Sequence, residues 1–271
     1  MLSAKAQQTI QNYLNLPFPG LANVRCPYFN NAKLGQRGQL RVLIGKGTPQ
    51  EIVEEAQIVS IQYRAGLFDK TGSCCLHNEH TGEPISAEDI RRFLIDHNIG
   101  IECSGFVTQV LRQEYLATKG FDFTKKIYIT SPTKIFRWLI AKLRPVENIS
   151  VKTYADNKNT KKILDSTKHN YNDIEPGDLI VMLDTGPNNK RNHIALVTSK
   201  NDRTINYVHA RAWSSEGKYD HGVTAGKIVI TAPEKNLLEQ EWIEKDRAGE
   251  TNETYLEAKQ AKVLEIRRIK L

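Results

Sequence analysis

A change of character at Pro176-Gly177 most constrains how this chain can fold. Beyond that turn lie five β-branched, apolar runs parted by turn residues: DLIVML, HIALVTS, TINYVHA, KIVIT and the terminal KVLEIRRIKL. Before it the patterns are helical. Helices followed by consecutive, closely joined strands predict an α+β fold around an antiparallel sheet. With 271 residues the chain can bury a substantial core, as one large domain or two small ones.

In the helical half, residues 4–14 read as a helix stopped by the turn-forming LPFPG. QLRVLIGKG reads as a short strand ending on Gly45 and Gly47. In TPQE, Thr48 is an N-cap, Pro49 suits the first helical position and Glu51 closes a capping box, predicting a helix over 49–64. Ser86 caps another over 87–97, ended by Gly100. The helix beginning at Cys103 carries Phe106, Val107, Val110 and Leu111 at helical period. Ser131 and Pro132 open a further one, with Ile135, Phe136, Leu139, Ile140 and Leu143 on one face. Residues 151–173 read as polar loop, and 235–260 as a charged surface helix and loop inserted before the last strand.

A net charge of +7 suits anionic partners, yet no basic run is long enough to single out nucleic acid, and none is expected. No segment approaches the length of a membrane span. The N-terminus has no apolar core behind a charged start, so it does not read as a secretory signal. Four cysteines are too few for a disulfide scaffold. The expectation is a reduced, cytoplasmic protein, unless it is exported by a route that leaves no such mark. CCLHNEH gathers Cys74, Cys75, His77 and His80, all capable of binding zinc. Adjacent cysteines do not supply the usual ligand gap, however, and no distant second pair completes a pattern. No metal or cofactor is assigned.

Cys103 is placed differently. A helix start stabilises a thiolate through its dipole and N–H groups, and those of Cys103 and Ser104 are placed for an oxyanion. Gly105 leaves the first turn uncrowded. A base is needed, and His193 opens one strand while His209 closes the next. A three-residue turn of Lys200, Asn201 and Asp202 would pair Ser199 with Arg203 and set His193 opposite His209. Two such rings on one sheet face suit a nucleophile, base and orienter. Each histidine alone reads more readily as structural.

Four segments in order carry a resemblance. ECSGFV resembles the nucleophile motif of the NlpC-type cell-wall cysteine peptidases, a papain-like family. EPGDLIVM is similar to that family's turn-and-strand, HIALV to its base strand, and VHA to its third polar position. The resemblance implies a papain-like fold with a helix-borne cysteine packed on a central antiparallel sheet. It makes Cys103 the nucleophile, His193 the general base and His209 its orienter. Ser104 would line the pocket, and Tyr63 would stand for an aromatic on the preceding helix. Glu102, where the family usually has Asp, would hold a substrate's free amine, and its effect on the thiol would be offset by the helix dipole and His193.

The implied activity is hydrolysis of an amide in a cell-wall stem peptide through a thioester, without a cofactor. A related amidase or acyltransferase on the same triad is the near alternative, and a non-catalytic binding module of the same fold the distant one. Residues 1–50 match nothing in the family and read as an extension to a catalytic domain over 51–271. Its insert at about 121–172 is placed to roof the cleft.

Overall fold

The computed structural model describes residues 1–30, 40–69, 71–74, 82–129, 142–165, 170–186 and 188–270. Two compact units divide the chain. Gln7–Glu102 with Ala210–Val223 form one, and Met1–Ala6, Cys103–His209 and Thr224–Leu271 form the other. Residues 7–50 and 51–102 thus belong to one unit.

The first of these holds α1 (Ala4–Leu14, whose first turn falls in the other unit), α2 (Pro49–Gln62) and α3 (Ala87–Asp96). The predicted capping box at Thr48 forms, and the expected cap at Ser86 forms as part of a second one. Thr48 Oγ1 accepts from the Glu51 amide at 3.2 Å, and the Glu51 carboxylate accepts from the Thr48 amide at 2.8 Å. Ser86 and Asp89 make the same exchange at the head of α3.

The strand expected over Gln39–Gly47 is instead a 3₁₀ turn, Arg41–Ile44, burying Val42 and Ile44. A short apolar run does not by itself distinguish strand from helix. Gly45 decides it here, closing the turn at φ 70° and donating to Val42 O at 3.2 Å. A Cβ at Gly45 would lie 2.8 Å from the Phe29 ring. Further backbone bonds, Ile101 N to Pro27 O, Phe29 N to Ile101 O and Glu102 N to Gly45 O, each 3.0 Å, fix the chain up to Glu102.

The other unit is built on one eight-stranded antiparallel sheet. Its strands are β1 (Thr160–Leu164), β2 (Leu179–Thr185), β3 (Arg191–Asn201), β4 (Thr204–Arg211), β5 (Gly222–Val229), β6 (Glu241–Glu244), β7 (Arg247–Ala248) and β8 (Val263–Ile269). They lie in the order β1-β8-β2-β3-β4-β5-β6-β7. The helices are α4 (Cys103–Lys119), α5 (Pro145–Asn148), α6 (Val151–Ala155) and α7 (Glu253–Gln260). Leu179–Met182 on β2 and Ile194–Val197 on β3 are buried without alternation, as in a strand covered on both faces. Helix α4 packs on β3, α6 on β2 and β3, and α7 on β2.

Two segments, one read as polar loop and the other as a charged surface helix and loop, contribute to this core. In 151–173 the chain forms α6 and then β1, which pairs with β8, Thr160 opposite Ile269. In 235–260 it forms β6, β7 and α7, and buries Trp242 and Ala258 against Ile180, Met182, Ala195, Val197 and Tyr207. Charged residues at the outward positions of these short elements hid the inward ones. The helix expected from Ser131 lies mostly outside the described residues. The turn aspartate, Asp178, is fully buried and receives Arg268 through Nε at 2.7 Å and Nη2 at 2.9 Å. Burial raises its carboxyl above the usual range, and the Arg268 bonds oppose that shift. The motif's acid therefore ties the start of β2 to β8.

Candidate active site

Cys103 is the first residue of α4, and it and Ser104 are buried. The helix start is clamped locally. Thr108 Oγ1 donates to Ser104 O at 2.6 Å and lies 2.7 Å from Tyr154 Oη on α6. Burial pushes the Tyr154 phenol up, so it stays neutral and able to donate. Part of the segment expected to roof the cleft thus supports the first turn of α4. Cys26 offers a contrast. It is fully buried, its Sγ contacts Pro27 O at 3.6 Å, and desolvation raises its thiol far above the ordinary value, with Arg91 and Arg25 only partly opposing.

The histidines meet. His193 Nε2 lies 2.7 Å from His209 Nδ1, with ring centroids 4.9 Å apart at 72°. His193 is 4% exposed and His209 0%. The predicted pairing is corrected in two respects, the partner of Ser199 and the placing of His193 directly opposite His209, since Ala195 lies across from His209 and His193 is its diagonal neighbour. The hairpin turn has two residues, Asp202 and Arg203, so Ser199 faces Asn206 rather than Arg203. A β-bulge follows, after which Val197 faces Tyr207 and Leu196 faces Val208.

Glu244 was not identified from the sequence. It is the last residue of β6, 1% exposed, and its Oε2 lies 3.0 Å from His209 Nε2. Tyr207 Oη and Thr254 Oγ1 donate to the same oxygen at 3.2 and 3.1 Å. The β-run TINYVHA carried the histidine, but no sequence pattern tied it to a carboxylate in a stretch as charged as EWIEKDRAGE. The alternation of inward Trp242 and Glu244 was the one usable signal.

Glu102, the residue before Cys103, pairs through Oε1 with Lys46 Nζ. The Lys46 side chain is 4% exposed and that of Glu102 21%. The acid beside the thiol is therefore countered by an internal cation, a compensation the sequence did not reveal. Tyr63 caps the end of α2 and is exposed, its ring packed on His97 with centroids 4.8 Å apart.

Among the described residues no cluster of three or more metal-ligating side chains occurs. Cys74 makes an isolated bridge with Phe68, while Cys75, His77 and His80 lie outside the described residues. No described helix is long and apolar enough to cross a membrane. No protein-family model matches the chain, and no curated protein or solved structure is significantly similar to it.

Proposed function

We propose that this chain is a papain-like cysteine hydrolase that cleaves an amide bond in peptidoglycan-derived peptides, with Cys103, His193 and His209 as its triad. The observation that carries the reading is the buried 2.7 Å bond between His193 and His209, on a sheet whose strand β3 packs against the helix that Cys103 begins. Buried histidines bonded ring to ring are poor candidates for a solvated surface role. A base held by a second ring and paired with a helix-start thiol performs acyl transfer.

In this reading the Cys103 thiol gives its proton to His193 and attacks the carbonyl carbon, and the N–H groups of Cys103 and Ser104 bind the oxyanion. The C–N bond breaks, and the imidazolium proton leaves with the amine. Water then adds to the thioester, passing a proton to His193, and the C–S bond breaks to release the acid. The test is incubation with defined muropeptides and mass spectrometry of the fragments, wild type against Cys103→Ser. One amide cleaved by the wild type alone, with fragments summing to substrate plus water, supports the reading. Muropeptides left intact would overturn it, and peptides joined rather than split would assign an acyltransferase.

A further inference from the structure

We propose that Glu244 is a positioning residue that fixes the tautomer of both histidines, so that His193 presents an unprotonated Nδ1 as the base. This inference rests on the cysteine-hydrolase reading above.

The argument starts from the far end of the network. A carboxylate only accepts hydrogen bonds. Three donors converge on Glu244 Oε2: His209 Nε2 at 3.0 Å, Thr254 Oγ1 at 3.1 Å and Tyr207 Oη at 3.2 Å. The proton of a neutral His209 therefore sits on Nε2, which leaves its Nδ1 with a lone pair. That Nδ1 lies 2.7 Å from His193 Nε2, so His193 must be the donor there. With its proton on Nε2, neutral His193 has Nδ1 free of a proton. In the opposite assignment, the lone pair of His209 Nε2 would face a carboxylate oxygen, in a site where His209 is 0% and Glu244 1% exposed.

The same chain acts after proton transfer. When Nδ1 of His193 takes the thiol proton, the ring becomes a cation in contact with His209, and Glu244 supplies a negative charge behind it. Both effects favour the thiolate-imidazolium pair over the neutral one.

The backbone holds Glu244 for this. It pairs with Arg247 across a turn in which Lys245 and Asp246 have φ of 49° and 57°. Non-glycine residues in left-handed conformation carry a cost that the surrounding structure must offset. Thr254 is placed by the cap of α7, where Asn252 Oδ1 accepts the Thr254 and Tyr255 amides and Asn252 Nδ2 donates to Trp242 O.

The test uses the full chain, with nitrogen-15 NMR of the imidazoles and the pH profile of Cys103 alkylation by iodoacetamide. In the wild type both rings should show the Nε2–H tautomer. Glu244→Gln keeps the shape but can donate as well as accept, so it should give mixed tautomers. It should also slow Cys103 alkylation at pH 6.5 by about tenfold or more and move the profile to higher pH. If Glu244→Gln does not fold, the wild-type spectrum decides, since a neutral His193 with its proton on Nδ1 instead of Nε2 overturns the proposal. An activated Cys103 whose profile is unchanged in Glu244→Gln also overturns it, while leaving the hydrolase reading intact. A wild-type Cys103 no more reactive than a free thiol refutes the hydrolase reading instead.

Discussion

His193 and His209 meet on a diagonal across β3 and β4, and the bulge at Thr198 is what puts them on one face. Near the turn, Ser199 faces Asn206 and Lys200 faces Ile205. Carried along the strands unchanged, that register would set Leu196 opposite His209 and leave the histidines on opposite faces of the sheet. Thr198 is the extra residue between Val197 and Ser199, and it shifts the pairing by one. The register beyond it places Ala195 across from His209, so His193 is its diagonal neighbour, within reach of a ring.

Deleting Thr198 should leave the two rings in contact. Val197 and Ser199 then follow one another opposite Tyr207 and Asn206, so the ladder closes without a bulge and Ala195 stays across from His209. The expected outcome is a folded variant whose Cys103 is alkylated at the wild-type rate. Loss of fast alkylation in a folded deletion variant would show that the bulge itself, rather than the register it absorbs, holds the pair.

The thiols should differ sharply. Cys26 is buried and its thiol strongly disfavours ionisation, whereas Cys103 begins a helix. Iodoacetamide at pH 6.5, with labelled peptides mapped by mass spectrometry, should find Cys103 modified first and Cys26 unmodified until the protein is unfolded. Comparable labelling of the two in the native state would remove the grounds for an activated nucleophile.

What the sequence revealed was whatever is local. Thr48 with Glu51, and Ser86 as a cap, announce helix starts because a cap is closed within four residues. Cys103 and the two histidine strands are visible for the same reason. Glu244 is not, because its meaning comes from His209, which lies thirty-five positions away in sequence. Lys46 likewise reads as a surface lysine until Glu102 is beside it. The strand expected over Gln39–Gly47 failed because Gly45 and the Phe29 ring, rather than the apolar run, decide the backbone there.

His221 gives a pH dependence with a definite sign. Burial holds its imidazole below the ordinary 6.5, Arg211 and Arg91 add to that, and Glu216 and Asp220 oppose it. As pH falls through 6.5 the unfolded chain takes up a proton that the folded chain resists, so stability declines on acidification. His221→Gln removes this term. Melting curves of wild type and variant should therefore diverge from pH 7 to pH 5, with the wild type losing more. Parallel curves would show that His221 titrates alike in both states.

In the proposed reading, Glu102 bears on substrate choice. Were its carboxylate free, a substrate's amine would gain a charge-assisted bond of about 1.5–3 kcal/mol, and N-acetylating that amine would cost roughly ten- to a hundredfold in kcat/KM or more. Lys46 already occupies Oε1. An arriving amine would share a neutralised acid, a contact nearer the ~0.5–1.5 kcal/mol of an ordinary hydrogen bond. We therefore expect a stem peptide and its N-acetylated twin to differ by about tenfold at most. Lys46→Met should widen the gap, because it returns the full charge of Glu102 to the substrate. It should also destabilise the fold, toward the lower end of the ~3–5 kcal/mol seen when a buried pair loses a partner, since Glu102 is one-fifth exposed. A difference of several hundredfold in the wild type would make Glu102 the amine clamp and Lys46 a bystander. Equal rates in both proteins would take Glu102 out of substrate binding altogether and leave it as the counter-ion of Lys46.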